Sequence, residues 1–120
     1  MKENIAEKKC EDLSLRIIDL YEDLEKKKIP KVLLTQILKS GTSIGANLAE
    51  GIYAISEKDF LNKIYISLKE CSETRYWLRL FYKANYINQN LFDSLYSDVT
   101  EILKILNATT KTLSKKLNPS

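Results

Sequence analysis

Apolar residues return every three or four positions along almost the whole of this chain, and only three glycines and two prolines are available to interrupt them. That spacing gathers them on one face of a helix, whereas a strand needs alternation by two. In the first segment Cys10, Leu13, Ile17, Leu20, Tyr21 and Leu24 form such a stripe, with charged residues opposite. It ends at a lysine run before Pro30, a residue that stops one helix and suits the first turn of the next. The second stripe is Leu34, Ile37, Leu38, Ile44, Leu48 and Ala49. Gly51 then reads as a C-cap, and Ser56, with Asp59 three residues on, as an N-cap. The third stripe, Phe60, Ile64, Leu68, Cys71, Leu78 and Phe81, fades near Asn85. Asn88 or Asn90 caps the fourth, which carries Leu91, Leu95, Val99, Ile102, Leu106, Thr109 and Leu113 and frays from Asn118 to the end. The pattern predicts helices over about residues 4–27, 30–52, 57–84 and 89–117, forming one all-α domain over residues 1–120. Four helices of this length with short connections pack most simply as an antiparallel, up-down-up-down four-helix bundle.

The residue types exclude much chemistry. Histidine is absent, which removes the commonest general base, the commonest metal ligand and the usual partner of a serine or cysteine nucleophile. A di-iron bundle needs Glu-x-x-His, and Glu70-Cys71-Ser72-Glu73 has a carboxylate where the histidine belongs. Neither a Gly-x-Gly-x-x-Gly run nor a P-loop is present. The expectation is a protein that is not an enzyme and takes no cofactor or metal. Cys10 and Cys71 sit among apolar neighbours, as buried reduced thiols do. No run is long and apolar enough to span a bilayer, and Met1 leads into Lys2, Glu3 and Asn4 without a signal core. A cytoplasmic protein with no membrane contact is expected.

Charge is segregated although the formal net charge is only +3. Residues 3–25 are rich in acids, whereas Lys26, Lys27, Lys28, Lys31 and Lys39 follow with no acid between them. Lysines at a helix C-terminus complement its dipole, and the same run would serve as an anion-binding patch for nucleic acid. Both readings stand on sequence.

The second helix contains the oddest stretch. Gly41, Gly45 and Ala49 are spaced by four and share a face. An interior glycine costs a helix about 1 kcal/mol relative to alanine, a loss offset if another helix packs closely there. A local break is the alternative. Ser43, Asn47 and Glu50 form a polar strip beside the apolar one, read as fixing helix register or a subunit contact. A carboxylate near a core needs a partner or water, and Arg75 and Tyr76 are the candidates for Glu50.

Tyr65, Tyr76, Trp77, Phe81, Tyr82 and Tyr86 crowd the third helix beside Arg75, Arg79 and Lys83. Aromatics among cations stack bases and hold phosphates, and they also mark protein interfaces. Tyr65, Trp77, Tyr82 and Tyr86 exceed what one stripe buries, which points to an oligomer.

The run from Gln36 to Gly51 (QILKSGTSIGANLAEG), then Ser56-x-Lys58-Asp59-Phe60 and the run from Ile66 to Leu78 (ISLKECSETRYWL), closely resembles the family of 23S rRNA intervening-sequence proteins over roughly residues 10–110. Relatives often carry proline where this chain has Gly45. The resemblance implies a four-helix bundle assembled as a homopentameric ring, with kinship to the accessory variability protein of diversity-generating retroelements, a basic pentamer that binds reverse transcriptase and nucleic acid. It implies self-association, and RNA, DNA or a protein as further partner. It supplies no catalytic residue.

Overall fold

A computed structural model describes residues 4–119, and residues 1–3 and 120 lie outside it. The sequence reading of an absent signal core and of the final frayed residue falls partly on those positions. The element order is α1 (Ile5–Glu25), α2 (Lys31–Ile52), α3 (Glu57–Lys83) and α4 (Gln89–Leu117). There is no strand among the described residues.

Local chemistry sets most of the ends. The first amides of a helix lack intrahelical partners, and a short polar side chain supplies one. Asn4 accepts from the Glu7 amide at 2.9 Å, Ser56 from Asp59 at 3.1 Å and Asn88 from Leu91 at 2.9 Å. Helix α2 has no side-chain cap, because Pro30 stands at its N-cap and Lys31 opens the helix. Helix α3 ends in a Schellman motif. The Tyr86 amide donates to Phe81 and the Asn85 amide to Tyr82, while Asn85 adopts φ 63°. Asparagine tolerates that left-handed conformation better than most residues. The motif's apolar contact is also made, with Tyr86 edge-on to Phe81 at 5.6 Å between ring centroids.

Gly51 departs from expectation. It lies inside α2, buried, and the helix continues to Ile52 with Tyr53 as its C-cap. A Cβ at Gly51 would stand 2.9 Å from Phe60 Cδ1 and 3.0 Å from Lys63 Cβ, so this glycine admits α3 instead of ending α2.

The helices enclose one core in which each packs on two neighbours: α1 on α2, α2 on α3, α3 on α4, and α4 back on α1. The α2/α3 seam is the most extensive and the α1/α4 seam the thinnest. On α2 the small-residue face meets α1. A Cβ at Gly41 would lie 2.8 Å from Ile17 Cγ1, and one at Gly45 3.0 Å from Cys10 Cβ. Helix α2 is unbroken there, so close packing and not a break explains both glycines. Ala49, on the same face, is half-buried. Cys10 and Cys71 are free and buried, and burial pushes both thiols up to about 12.

Candidate functional site

The five lysines singled out from the sequence divide into two places. Lys26 caps the end of α1, Lys27 and Lys28 follow in the turn, and Lys31 opens α2, all of them exposed. The last turn of α1 contains no basic residue, so the run lies beyond the helix, and Lys31 stands at an N-terminus, where a cation opposes the dipole. Dipole complementation therefore suits Lys26, Lys27 and Lys28, just past the negative end of α1, and does not account for Lys31. Among the described residues none of these lysines forms an ion pair. Lys39 does not belong with them. Eight residues of helical rise carry it about 12 Å further along α2. There it acts on Glu70, whose carboxyl is raised by burial and by Glu73 against the pull of Lys69 and Lys39.

The polar strip on α2 is held differently from the sequence reading. Ser43 donates to the Lys39 carbonyl at 2.6 Å and Asn47 to the Ser43 carbonyl at 2.9 Å, both within their own helix. Glu50 pairs with Lys63 at 3.4 Å, not with Arg75 or Tyr76. The reason is axial: Arg75 is twelve residues, about 18 Å, beyond Lys63 on α3. A buried polar tie between α2 and α3 does exist, with Ser67 Oγ donating to the Ile44 carbonyl at 2.9 Å. Its sequence signal was a serine at core spacing between Ile64 and Cys71.

Arg75 turns instead toward α4. Its Nη2 and Arg79 Nη1 both donate to the Tyr96 hydroxyl, at 2.8 and 3.2 Å. The Arg75 guanidinium lies 4.7 Å from the Tyr96 ring centroid, and that of Arg79 lies 6.0 Å from the Tyr76 ring. The row continues through Phe92, 5.1 Å from Tyr96, to Tyr82, stacked on Phe92 at 4.8 Å. Burial alone would raise the Tyr96 phenol, but hydrogen bonds and charge from the two arginines outweigh it and hold the phenol below its ordinary value.

This row corrects the count of surplus aromatics. Trp77, Tyr82 and Tyr86 are half-buried and pack on the core, Tyr82 stacking on Phe92 of α4 and Tyr86 folded back by the turn at Asn85. Tyr65 and Tyr76 remain exposed, at 48% and 49%. Phe92 and Tyr96 were not singled out from sequence, although an aromatic pair four apart beside the Leu91 and Leu95 stripe was the available signal.

Beside the row runs a groove of about 410 Å³ between α3 and α4, lined by Arg75, Asp93, Tyr96, Ser97, Thr100 and Lys104, with Glu101. Glu101 is already paired with Lys9 at 2.6 Å. Arg75 Nε and Thr100 Oγ1 are buried without a hydrogen-bond partner in the chain. Among the described residues no three His, Cys, Asp or Glu side chains are placed to hold a metal. No helix is long and apolar enough to cross a membrane among those residues.

Fold and surfaces together define the class, a small all-α protein built as a four-helix bundle. The chain belongs to the 23S rRNA-intervening sequence protein family, whose profile matches residues 2–108. A crystal structure of a Bacteroides thetaiotaomicron protein with unknown function, from the S23 ribosomal protein family, is 42% identical with a TM-score of 0.87, covering 89% of this chain and 99% of that one. No curated protein matches the chain.

Proposed function

We propose that the chain is a non-enzymatic, nucleic-acid-associated subunit of a homo-oligomer, acting on RNA in the cytoplasm. The observation that carries this reading is the cluster of Lys26, Lys27, Lys28 and Lys31 at one turn, exposed and without carboxylate partners. Membership of a family named for an rRNA intervening sequence supports it. The helices run up-down-up-down, a reading supported by paired residue numbers that fall on one helix as they rise on the next: Cys10 with Gly45 and Ile17 with Gly41, then Ile44 with Ser67 and Glu50 with Lys63. Association into a pentameric ring, as the family resemblance implies, would repeat the lysine turn around an axis.

A shared backbone charge makes such binding fall with salt, by about 0.7 in log affinity per tenfold salt for each phosphate neutralised on a single strand. Anisotropy with a labelled single-stranded RNA should therefore weaken steeply from low to physiological salt. Lys27→Glu with Lys28→Glu should abolish most of it while leaving the melting temperature unchanged. Binding that ignores salt, or that survives the double variant, would sink the reading. Sedimentation giving only a monomer would remove the oligomer.

A second reading, a protein-binding scaffold, is favoured by the α2–α3 turn, where Tyr53 is 81% and Ile55 95% exposed. Large apolar side chains projected this far into water mark contact surfaces when they cluster. Ile55→Asp would then disrupt assembly or partner capture and leave RNA affinity intact.

A further inference from the structure

We propose that the α3/α4 groove is a phosphate-ester site, in which Arg75 and Arg79 grip the anion and Thr100 and Lys104 complete the cradle. Two guanidinium groups converge on one phenol, and among the described residues neither has a carboxylate within ion-pairing distance. Like charges brought together repel, and a single neutral hydroxyl does little to offset that. An oxyanion with several acceptor oxygens does. Guanidinium forks match phosphate geometry in a way that lysine does not.

The second observation is independent of charge. Arg75 and Thr100 line the same groove, and Arg75 Nε and Thr100 Oγ1 are buried with no partner in the chain. A buried polar atom left unpaired costs about 1–3 kcal/mol, so two at one place are an expense that a ligand would remove. Both can donate. Of the two acids at the rim, Glu101 is held by Lys9, which leaves Asp93 against Arg75 and Lys104, with Arg79 one turn along α3 and tied to the groove through the Tyr96 hydroxyl. The aromatic row beside the groove suits a ligand with a planar base attached to its phosphate, and Tyr76 is exposed and 6.0 Å from the Arg79 guanidinium. This deepens the nucleic-acid reading, on which it rests only for the source of the phosphate.

Arginine Nε–H signals in a nitrogen-resolved proton spectrum report the site directly, with Trp77 fluorescence as a second readout, since Tyr76 packs edge-on to Trp77 at 5.0 Å. The probes are inorganic phosphate, adenosine monophosphate, a mixed-sequence single-stranded RNA decamer and a polyglutamate peptide. The expected result is a saturable shift of the Arg75 signal with both adenosine monophosphate and RNA, and a weaker one with phosphate. Arg79→Gln, at an exposed position, should weaken these by roughly tenfold to a hundredfold, the range for a hydrogen bond to a charged group. Arg75→Lys, which keeps the charge and loses the fork, should do the same. Thr100→Val removes the unpaired hydroxyl, so it should raise the melting temperature while lowering affinity, a combination that a purely structural role would not give.

Several outcomes overturn the proposal. One is an Arg75 signal indifferent to every phosphate probe, and another is a response to polyglutamate alone, which would make the groove a protein contact. RNA binding lost in Lys27→Glu with Lys28→Glu but untouched in Arg79→Gln would overturn this site and leave the nucleic-acid function standing. Adenosine monophosphate binding without RNA binding would do the reverse.

Discussion

The α1/α2 and α3/α4 seams are built on opposite principles. Along α1/α2 side chains are deleted: Gly41 receives Ile17, Gly45 receives Cys10, and the contact is apolar on both sides. Along α3/α4 side chains are added: Arg75, Arg79, Tyr82, Phe92 and Tyr96 interleave, and two polar atoms remain unpaired. The first seam is complete within one chain. The second leaves polar atoms unpaired, and that difference is what the proposed phosphate site draws on.

The largest expected effect tests the first seam. Gly41→Val sets atoms where Ile17 already lies, 2.8 Å from the added Cβ. Overpacking of this kind costs about 1–3 kcal/mol, and a β-branched residue in a flush contact belongs at the upper end. Gly41→Ala is the sharper version, because a helix-propensity gain of about 1 kcal/mol opposes the clash. Urea unfolding that shows Gly41→Val more stable than the parent, or Gly41→Ala gaining the full propensity term, would mean that α1 does not approach as described.

Alkali should distinguish the seams next. The Cys10 and Cys71 thiols have folded-state values raised to about 12, so the folded chain holds their protons more tightly than the unfolded one. Stability from that source is complete below the unfolded value near 9 and drains away as pH rises from 9 to 12, by about 1 kcal/mol per thiol at pH 10. Tyr96 has the opposite sign, since its folded-state phenol is lowered and the stabilisation it gives grows toward and above its ordinary value. Melting temperatures from pH 8 to 11 should fall for the parent and fall less for Cys10→Ala measured against its own pH 8 value. An equal fall in both would deny Cys10 its part.

The smallest effect belongs to the aromatic row. A double-mutant cycle with Tyr82→Leu and Phe92→Leu should give a coupling of about 0.5–1.5 kcal/mol, the range for an aromatic pair beyond its buried area. Zero coupling would leave the row as mere neighbours.

Much of the fold was legible because it depends on local chemistry. The stripes, the caps at Ser56 and Asn88 and the end of α3 near Asn85 follow from residues a few positions apart. The glycine face was legible for the same reason, as spacing by four shows that small residues share a side. Partners across a seam were not. Periodicity tells which way a side chain points but not how far along a neighbour it lands, so Glu50 was matched to Arg75 when Lys63 stands opposite. Lys39 was grouped with the turn lysines because nearness in sequence hides the rise of a helix. The role of Tyr96 was hidden because the two arginines that converge on its hydroxyl lie on another element. Gly51 misled in a different way, since a glycine that ends a helix and one that admits a neighbour read alike.

The thin α1/α4 seam gives the molecule a directional weakness. It is bridged by Lys9–Glu101 and Arg16–Asp98, each at 2.6 Å and each partly open to water. Exposed pairs of this kind contribute about 0–1 kcal/mol, and mobile ions screen them. The α2/α3 and α3/α4 seams carry one exposed pair each, Glu50–Lys63 and Lys116–Glu57, over contacts that are far more extensive and buried, and burial is not weakened by salt. Concentrated electrolyte should therefore loosen the α1/α4 seam more than the other three, while the buried side chains of α1 keep the helix in the core.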